Sequence, residues 1–231
     1  MIRYYDEPDF STFFRVPYSI SKRIHNVPII KDLFFGGNGH TKGGQNLSLH
    51  EQVESAYESL IKGESPHLFI SCLFKTMMLW EDPQISSYGP MITPKYKTSC
   101  DKYVPTKVDL HMRSGLPVIF VQYRTERCSQ PDMEMISWMT VTFQRGMKKG
   151  VMWQEFYALI VTGVNYEFWR VEMTPEKVVS TREDGYPDKV DVWVHKPSDN
   201  VRSCRGFYEL LKGIFVMRRM LTYPRRDPLD L

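Results

Sequence analysis

Four residues in the middle of the chain have the types and spacing needed to hydrolyse a phosphodiester bond. Asp109 lies in an apolar segment, and Gln122, Arg124 and Glu126 follow at alternate positions shortly afterwards. In an extended strand this spacing puts the three later residues on one face, where we expect them to converge near Asp109. Carboxylate and carbonyl oxygens bind Mg²⁺ or Mn²⁺, and a neighbouring cation can position or polarise the attacking water.

A structural role is the simpler alternative for the same residues. A buried carboxylate is costly unless it is paired or bound to a metal. Arg124 could satisfy Asp109 as an ion pair at the end of a strand. The residue types alone therefore leave two interpretations open, a metal-dependent catalytic site and a structural ion pair.

The periodicity of apolar residues predicts the elements that would position this group. Helical spacing predicts helices at 48–62 and 207–221, and a continuous apolar run at 68–80 favours a buried helix. Segments of strand type separated by turn residues predict two β-hairpins. The predicted hairpin strands are 107–112 with 117–124, and 156–161 with 166–173.

A central helix and one further strand complete the predicted order. Ser129 can cap a helix that begins near Pro131 and reaches about Arg145, and Asp132 is interpreted as part of that helix start. Residues 190–194 alternate like a short strand, which we expect at a sheet edge or in an excursion from the sheet. Together the elements predict an α/β fold with a mixed central β-sheet flanked by helices.

The predicted elements form one domain after an irregular N-terminal segment. With 231 residues, the chain is long enough for a single core. Residues 1–47 are rich in aromatic residues, proline and glycine, and we expect an irregular extension there. Its glycine-rich end predicts a flexible loop, because a phosphate-binding loop needs Ser or Thr where Gly43 follows Lys42. Residues 48–231 would hold the domain.

Composition and charge exclude several classes of protein. The chain is 42% hydrophobic and 25% charged, which is typical of globular and not of disordered proteins. A net charge of +3 is too small to indicate nucleic-acid binding, so contacts with DNA or RNA would have to be local. Four scattered cysteines, no secretion signal and no apolar run of roughly 18 residues predict a nuclear or cytoplasmic protein without a membrane partner.

Two basic clusters are candidates for local contacts with DNA or RNA. Lys148 and Lys149 follow the central helix, and Arg218 and Arg219 lie near the end of the C-terminal helix. Basic side chains bind phosphates, but they are also favoured at helix C-termini by the helix dipole. Both roles stay open for each cluster.

Several motifs across residues 48–221 form a pattern typical of a known group of proteins. They are Lys107-Val108-Asp109-Leu110, Leu116 to Arg124, a helix with Met135, Trp138 and Met139, Tyr157 to Gly163 followed by Tyr166-Glu167-Phe168-Trp169, and Phe207 to Leu211. Together they resemble the PD-(D/E)XK nuclease-like superfamily, most of all the divergent nuclease-like domains common in fungal genomes. The resemblance implies a restriction-endonuclease-like core in the order α-β-β-β-α-β.

The resemblance implies a role for each member of the candidate site. Asp109 matches a metal-binding acid, whereas Gln122 stands where the family carries a second metal-binding acid and Arg124 where it carries the catalytic Lys. A carboxamide lacks the negative charge of a carboxylate, and Arg cannot release a proton. Glu126, or Glu51 from the first helix, would have to supply the missing carboxylate to Mg²⁺ or Mn²⁺.

Three functions follow as expectations from these matches and departures. The first is a degenerate nuclease-like domain that binds nucleic acid or a protein partner with weak or no cleavage. The second is an active Mg²⁺- or Mn²⁺-dependent nuclease that uses Asp109, Gln122 and Arg124. The third is an interaction or effector protein without enzymatic activity, in which Asp109 and Arg124 form only a core ion pair.

Overall fold

A mixed β-sheet of seven strands with helices on both faces makes up the described part of the chain, so the fold class is mixed α/β. The computed structural model describes residues 2–16, 49–62, 66, 68–70, 72–73, 85–88, 108–113, 116–124, 131–148, 150, 155–175 and 189–222. The strands are β1 (Ile2–Asp6), β2 (Ile85–Tyr88), β3 (Val108–Arg113), β4 (Leu116–Tyr123), β5 (Glu155–Thr162), β6 (Asn165–Glu172) and β7 (Val190–His195). The helices are α1 (Phe10–Phe13), α2 (Leu49–Ile61), α3 (Pro131–Lys148) and α4 (Cys204–Thr222).

The order of the strands in the sheet is β1-β7-β6-β5-β4-β3-β2. Strands β2, β3 and β4 form an antiparallel meander, and β5 runs parallel to β4 after the chain has passed through α3. Strands β5, β6 and β7 are again antiparallel neighbours, whereas β1 lies parallel to β7 at one edge. A parallel pair needs a crossover connection, and α3 provides it for β4 and β5.

The central strands are apolar on both faces because each face is covered by helices. On one face, Ile119 and Val121 of β4 belong to a core with residues of α1, α2 and α4. On the other face, Phe120 packs with Met139 and other residues of α3. Alternate residues of β4 therefore point to different cores, which fixes the face on which each neighbouring polar residue lies.

Most of the elements predicted from periodicity are confirmed. The helix predicted at 48–62 is α2, the C-terminal helix is α4, and the two predicted hairpins are β3 with β4 and β5 with β6. The central helix begins at Pro131 as predicted and ends at Lys148, three residues beyond the predicted Arg145. Gly163 has a φ of 57° in the turn between β5 and β6, a conformation that glycine adopts without strain.

Two parts of the structure differ from the sequence-based interpretation. Strand β7 was expected at a sheet edge or in an excursion from the sheet, which is wrong, because it lies between β1 and β6. Residues 1–47 were expected to be irregular, but β1 and α1 form within them. β7 is interior only because β1 comes back to pair with it, and no local pattern signals that contact. The glycine-rich segment at 36–44 lies outside the described residues.

Candidate functional site

Polar side chains from several elements meet where β4 ends. Arg124 directly follows β4, and its main-chain N–H donates to the carbonyl oxygen of Val161 in β5 at 2.8 Å. Helix α3 begins at Pro131, so Asp132 lies in its first turn close to the same end of the sheet. β6 starts beside the end of β5 and brings Glu167 and Trp169 to this region.

The guanidinium group of Arg124 is held on two edges and one face. Its Nη2 donates to Oδ1 of Asp132 at 2.6 Å, and its Nη1 donates to Oε1 of Glu167 at 3.4 Å. Its Cζ lies 4.7 Å from the centroid of the Trp169 ring. With 20% of the Arg124 side chain exposed, these contacts are partly shielded from water, and the ion pairs are stronger than typical surface pairs.

The residues that bind Arg124 also make contacts with each other and with Tyr4. The indole Nε1 of Trp169 donates to Oε1 of Glu167 at 2.9 Å. The Tyr4 hydroxyl donates to Oδ2 of Asp132, and its ring meets the edge of Trp169 with centroids 5.7 Å apart. We refer to Tyr4, Arg124, Asp132, Glu167 and Trp169 as the Arg124 cluster. It joins the N-terminal strand, the centre of the sheet and the start of α3.

The charges of the Arg124 cluster balance locally. Arg124 faces Asp132 and Glu167, and Lys196 Nζ lies 3.9 Å from Oε2 of Glu167. Burial raises the pKa of Tyr4 above its ordinary value, and the hydrogen bond to Asp132 raises it further, so Tyr4 is a neutral donor. Two cations offset two anions, which leaves no excess negative charge to attract a divalent cation.

The register of β3 and β4 decides where Asp109 lies relative to this cluster. Asp109 pairs with Val121, and Val108 pairs with Gln122. Directly paired residues of antiparallel strands share a face. The backbone therefore places position 109 on the face of Val121, and Gln122 on the α3 face, so the register does not bring the two positions together. A shift of one residue in this register would move position 109 to the other face of the sheet. The sequence does not specify the register here.

The other candidates for metal binding have different environments. Gln122 is 1% exposed in the interior of β4, where a neutral amide is tolerated far better than a charged carboxylate. Glu51 lies on α2, but its side chain lies outside the described side chains, and Glu126 lies outside the described residues. Within the described residues, no group of three or more His, Cys, Asp or Glu side chains could hold a metal ion.

The basic residues predicted to contact DNA or RNA lie at the ends of helices. Lys148 is exposed at the last position of α3, about 24 Å along the helix from Asp132 at 1.5 Å per residue. Arg218 and Arg219 lie in the last part of α4 with side chains outside the described set, and Lys149 lies outside the described residues. Lys148 is therefore separate from the Arg124 cluster.

Four members of the Arg124 cluster are not among the site residues predicted from the sequence. Asp132 was interpreted only as part of a helix start, although it also binds Arg124 and Tyr4. Glu167 and Trp169 are alternate residues of β6, so a polar and an aromatic residue on one face of a predicted strand gave a usable signal. Tyr4 gave none, because its position depends on the pairing of β1 with β7.

Comparison with protein-family models, with curated proteins and with solved structures finds no match. The functional argument therefore depends on the residues and their geometry. Among the helices that the structure describes, none has both the length and the apolar composition to cross a membrane.

Proposed function

We propose that this chain is a PD-(D/E)XK nuclease-like domain that no longer cleaves and that acts by binding a partner. The order of elements supports the assignment to this superfamily. α2, β2, β3, β4, α3 and β5 occur along the chain in the order α-β-β-β-α-β, with the helical residues 66, 68–70 and 72–73 between α2 and β2, and β2 to β5 are neighbours in the sheet. The antiparallel meander followed by a parallel strand makes the sheet mixed, which agrees with the mixed sheet that the resemblance implies.

The single observation that supports the loss of cleavage is that other side chains already bind Arg124. A catalytic cation has to reach a scissile phosphate or its attacking water. Arg124 is instead bound by Asp132, Glu167 and the face of Trp169. Moving it towards a substrate would leave two partly buried carboxylates without their main cationic partner, which is costly.

Among the described residues, the donor set at this end of the sheet also does not fit Mg²⁺ or Mn²⁺. These ions prefer several oxygen ligands, including carboxylates that carry negative charge. Gln122 supplies a neutral amide, position 109 belongs to the opposite face, and the carboxylates of Asp132 and Glu167 are bound to Arg124. No step of metal-dependent hydrolysis can be derived from these residues.

The balanced charge of the Arg124 cluster favours a protein partner over a nucleic acid. Binding to a phosphate backbone requires a local excess of Lys and Arg. Around Arg124 the described charges cancel, and Lys148 lies at the far end of α3. Binding of DNA or RNA is the alternative that a direct measurement would reveal.

Incubation with single- and double-stranded DNA and RNA in the presence of Mg²⁺ or Mn²⁺ tests the loss of cleavage. We expect no hydrolysis beyond that seen with Asp109→Ala or with EDTA. Cleavage that both controls abolish would overturn the proposal and establish an active nuclease that uses Asp109.

Fluorescence anisotropy with the same labelled nucleic acids, at low and moderate salt, tests the partner class. We expect no binding that salt weakens, and no difference between the wild type, Lys148→Glu and the matched control Lys62→Glu. If binding is sensitive to salt and is weakened by Lys148→Glu but not by Lys62→Glu, the partner is a nucleic acid and the proposal of a protein partner is overturned. Lys62 is a suitable control because its side chain is exposed at the end of α2.

A further inference from the structure

A row of large side chains crosses four neighbouring strands and ends at an open edge. Tyr157 pairs with Arg170, Arg170 with Trp193, and Trp193 with Tyr5, so the four positions lie side by side. The Arg170 guanidinium lies 4.9 Å from the centroid of Trp193. The ring of Tyr5 stacks on the ring of Trp193, with the two centroids 5.7 Å apart and an angle of 25° between the ring planes. Tyr5 remains 42% exposed, so the row ends with an accessible ring.

The side of β1 that faces away from β7 has no partner among the described strands. The N–H of Glu7 donates to the carbonyl oxygen of Val194 at 2.8 Å, which extends the parallel ladder by one residue. Alternate residues of such a strand bond to opposite sides. The main-chain groups of Ile2, Tyr4 and Asp6 therefore face away from β7, and no described strand pairs with them. An edge of this kind can accept another strand.

The charges along β1 are arranged with opposite signs at its two ends. Arg3 is exposed near the beginning and has no ion-pair partner among the described residues, whereas Asp6 and Glu7 lie at the end. A second β1 in antiparallel orientation would place the basic start of each strand beside the acidic end of the other. This complementarity favours a copy of the same chain as the occupant of the edge.

We propose that two copies of this protein pair through antiparallel β1 strands about a two-fold axis at Tyr5. An axis perpendicular to the sheet keeps every residue on its own face, so Tyr5 pairs with the partner's Tyr5 and Arg3 with the partner's Glu7. Tyr4 then exchanges main-chain hydrogen bonds with the partner's Asp6. A register centred on Tyr4 would instead place Ile2 opposite the partner's Asp6 and Arg3 opposite the partner's Tyr5.

The proposed dimer completes the row of side chains. Two Tyr5 rings would meet at the axis, each supported by Trp193 and Arg170 of its own subunit. Aromatic cross-strand pairs of this kind stabilise a sheet. Pro8 has no N–H and ends the ladder, so the paired region is short. Because stable interfaces usually bury at least about 1,200 Å², we expect a weak dimer whose population rises with concentration.

Sedimentation velocity of the untagged full chain over a range of concentrations tests this inference. It goes beyond the proposed function, because its test does not depend on nuclease activity. Arg3→Glu or Glu7→Arg places like charges opposite each other twice in the symmetric interface, and each should weaken dimerisation about tenfold. Arg202→Glu, a charge reversal at an exposed position of the turn before α4, should leave dimerisation unchanged.

Mixing the two variants distinguishes this interface from other ways of associating. Arg3→Glu and Glu7→Arg proteins should form a mixed dimer with affinity near that of the wild type, because both cross-strand pairs become complementary again. Unchanged melting temperatures would show that both variants fold. A wild-type monomer at every concentration, a dimer insensitive to either charge reversal, or no recovery on mixing would each overturn the proposal.

Discussion

Two arginines on opposite faces of the sheet each stack on a tryptophan ring, but their other contacts differ. Arg124 lies 4.7 Å from the ring of Trp169, and Arg170 lies 4.9 Å from the ring of Trp193. Arg124 is otherwise bound by two carboxylates and is partly exposed. Arg170 is only 4% exposed, donates to the carbonyl oxygen of Phe13 at 2.8 Å and has no ion pair among the described residues. A cation stacked on Trp therefore does not identify a functional site.

The difference between the two arginines lies in what each could do without disturbing the fold. Arg124 is held by charged side chains at a partly exposed position, which makes its surroundings a candidate site. Arg170 cannot leave the core without exposing apolar side chains of α1 and β7. Four measurements test this difference between the surroundings of Arg124 and those of Arg170.

Arg170→Ala should have the largest effect. It removes the stack on Trp193, leaves the Phe13 carbonyl without its donor and opens a cavity, which together lower the free energy of unfolding by about 3 kcal/mol. Urea denaturation measures the loss. Arg124→Ala is the matched control, with an expected loss of about 1 kcal/mol. Equal losses would contradict the distinction between a core arginine and a site arginine.

Gln122→Glu tests whether the Arg124 region can be returned to a metal site. Gln122 is 1% exposed, so a carboxylate there should lower the free energy of unfolding by about 2 kcal/mol at neutral pH. The loss should shrink at low pH, because the buried acid then becomes neutral. Recovery of the melting temperature on adding Mn²⁺ would contradict the absence of a metal site, and Gln122→Leu serves as the uncharged control.

His195, on the same face as Arg170, predicts a dependence of stability on pH. Burial among aromatic rings lowers the pKa of His195 below 6.5, and its Nδ1 lies 3.0 Å from the Glu7 carbonyl oxygen. Below about pH 6.5 the unfolded chain binds a proton that the folded protein excludes. The free energy of unfolding should then fall with a slope of up to about 1.4 kcal/mol per pH unit from this group.

Thermal or urea melts between neutral and mildly acidic pH measure this slope. His195→Phe removes the group that takes up the proton and should reduce the slope. His50→Phe, a histidine on α2, is the control. An equal slope in wild type and His195→Phe would show that His195 is not the cause.

The smallest effect is expected for the coupling between Arg124 and Asp132. A double-mutant cycle with Arg124→Ala and Asp132→Ala should give a coupling free energy of about 1 kcal/mol, because the pair is partly exposed. Urea denaturation of the four proteins provides it. A coupling near zero would show that the ion pair contributes little, and the argument that Arg124 is held in place would lose its main support.

Most elements of this fold and its two hairpins could be predicted from local patterns, but the pairing of strands distant in the chain could not. Helices α2 and α4 follow from the spacing of apolar residues, and β5 and β6 from two apolar segments around Gly163. These signals are local. The interior position of β7 depends on β1, whose sequence is far away in the chain and has an ordinary mixture of polar and aromatic residues.

The candidate site was predictable only in part for the same reason. Gln122 and Arg124 share a face because they belong to one strand, and the sequence shows that directly. The position of Asp109 depends on register between two strands, where one residue changes the face. The carboxylates that bind Arg124 come from α3 and β6, and no spacing rule connects them to β4.

The pairing of β1 with β7 also sets the order in which the protein can be assembled. Ile2 pairs with Val190, so β1 cannot take its place in the sheet until β7, far later in the chain, has been synthesised. Contacts between such distant residues form slowly, because a long loop has to close first. Until then the exposed rings of Tyr4 and Tyr5 and the phenylalanines of α1 have no partner in the sheet. These side chains therefore remain without their native contacts until β7 is available.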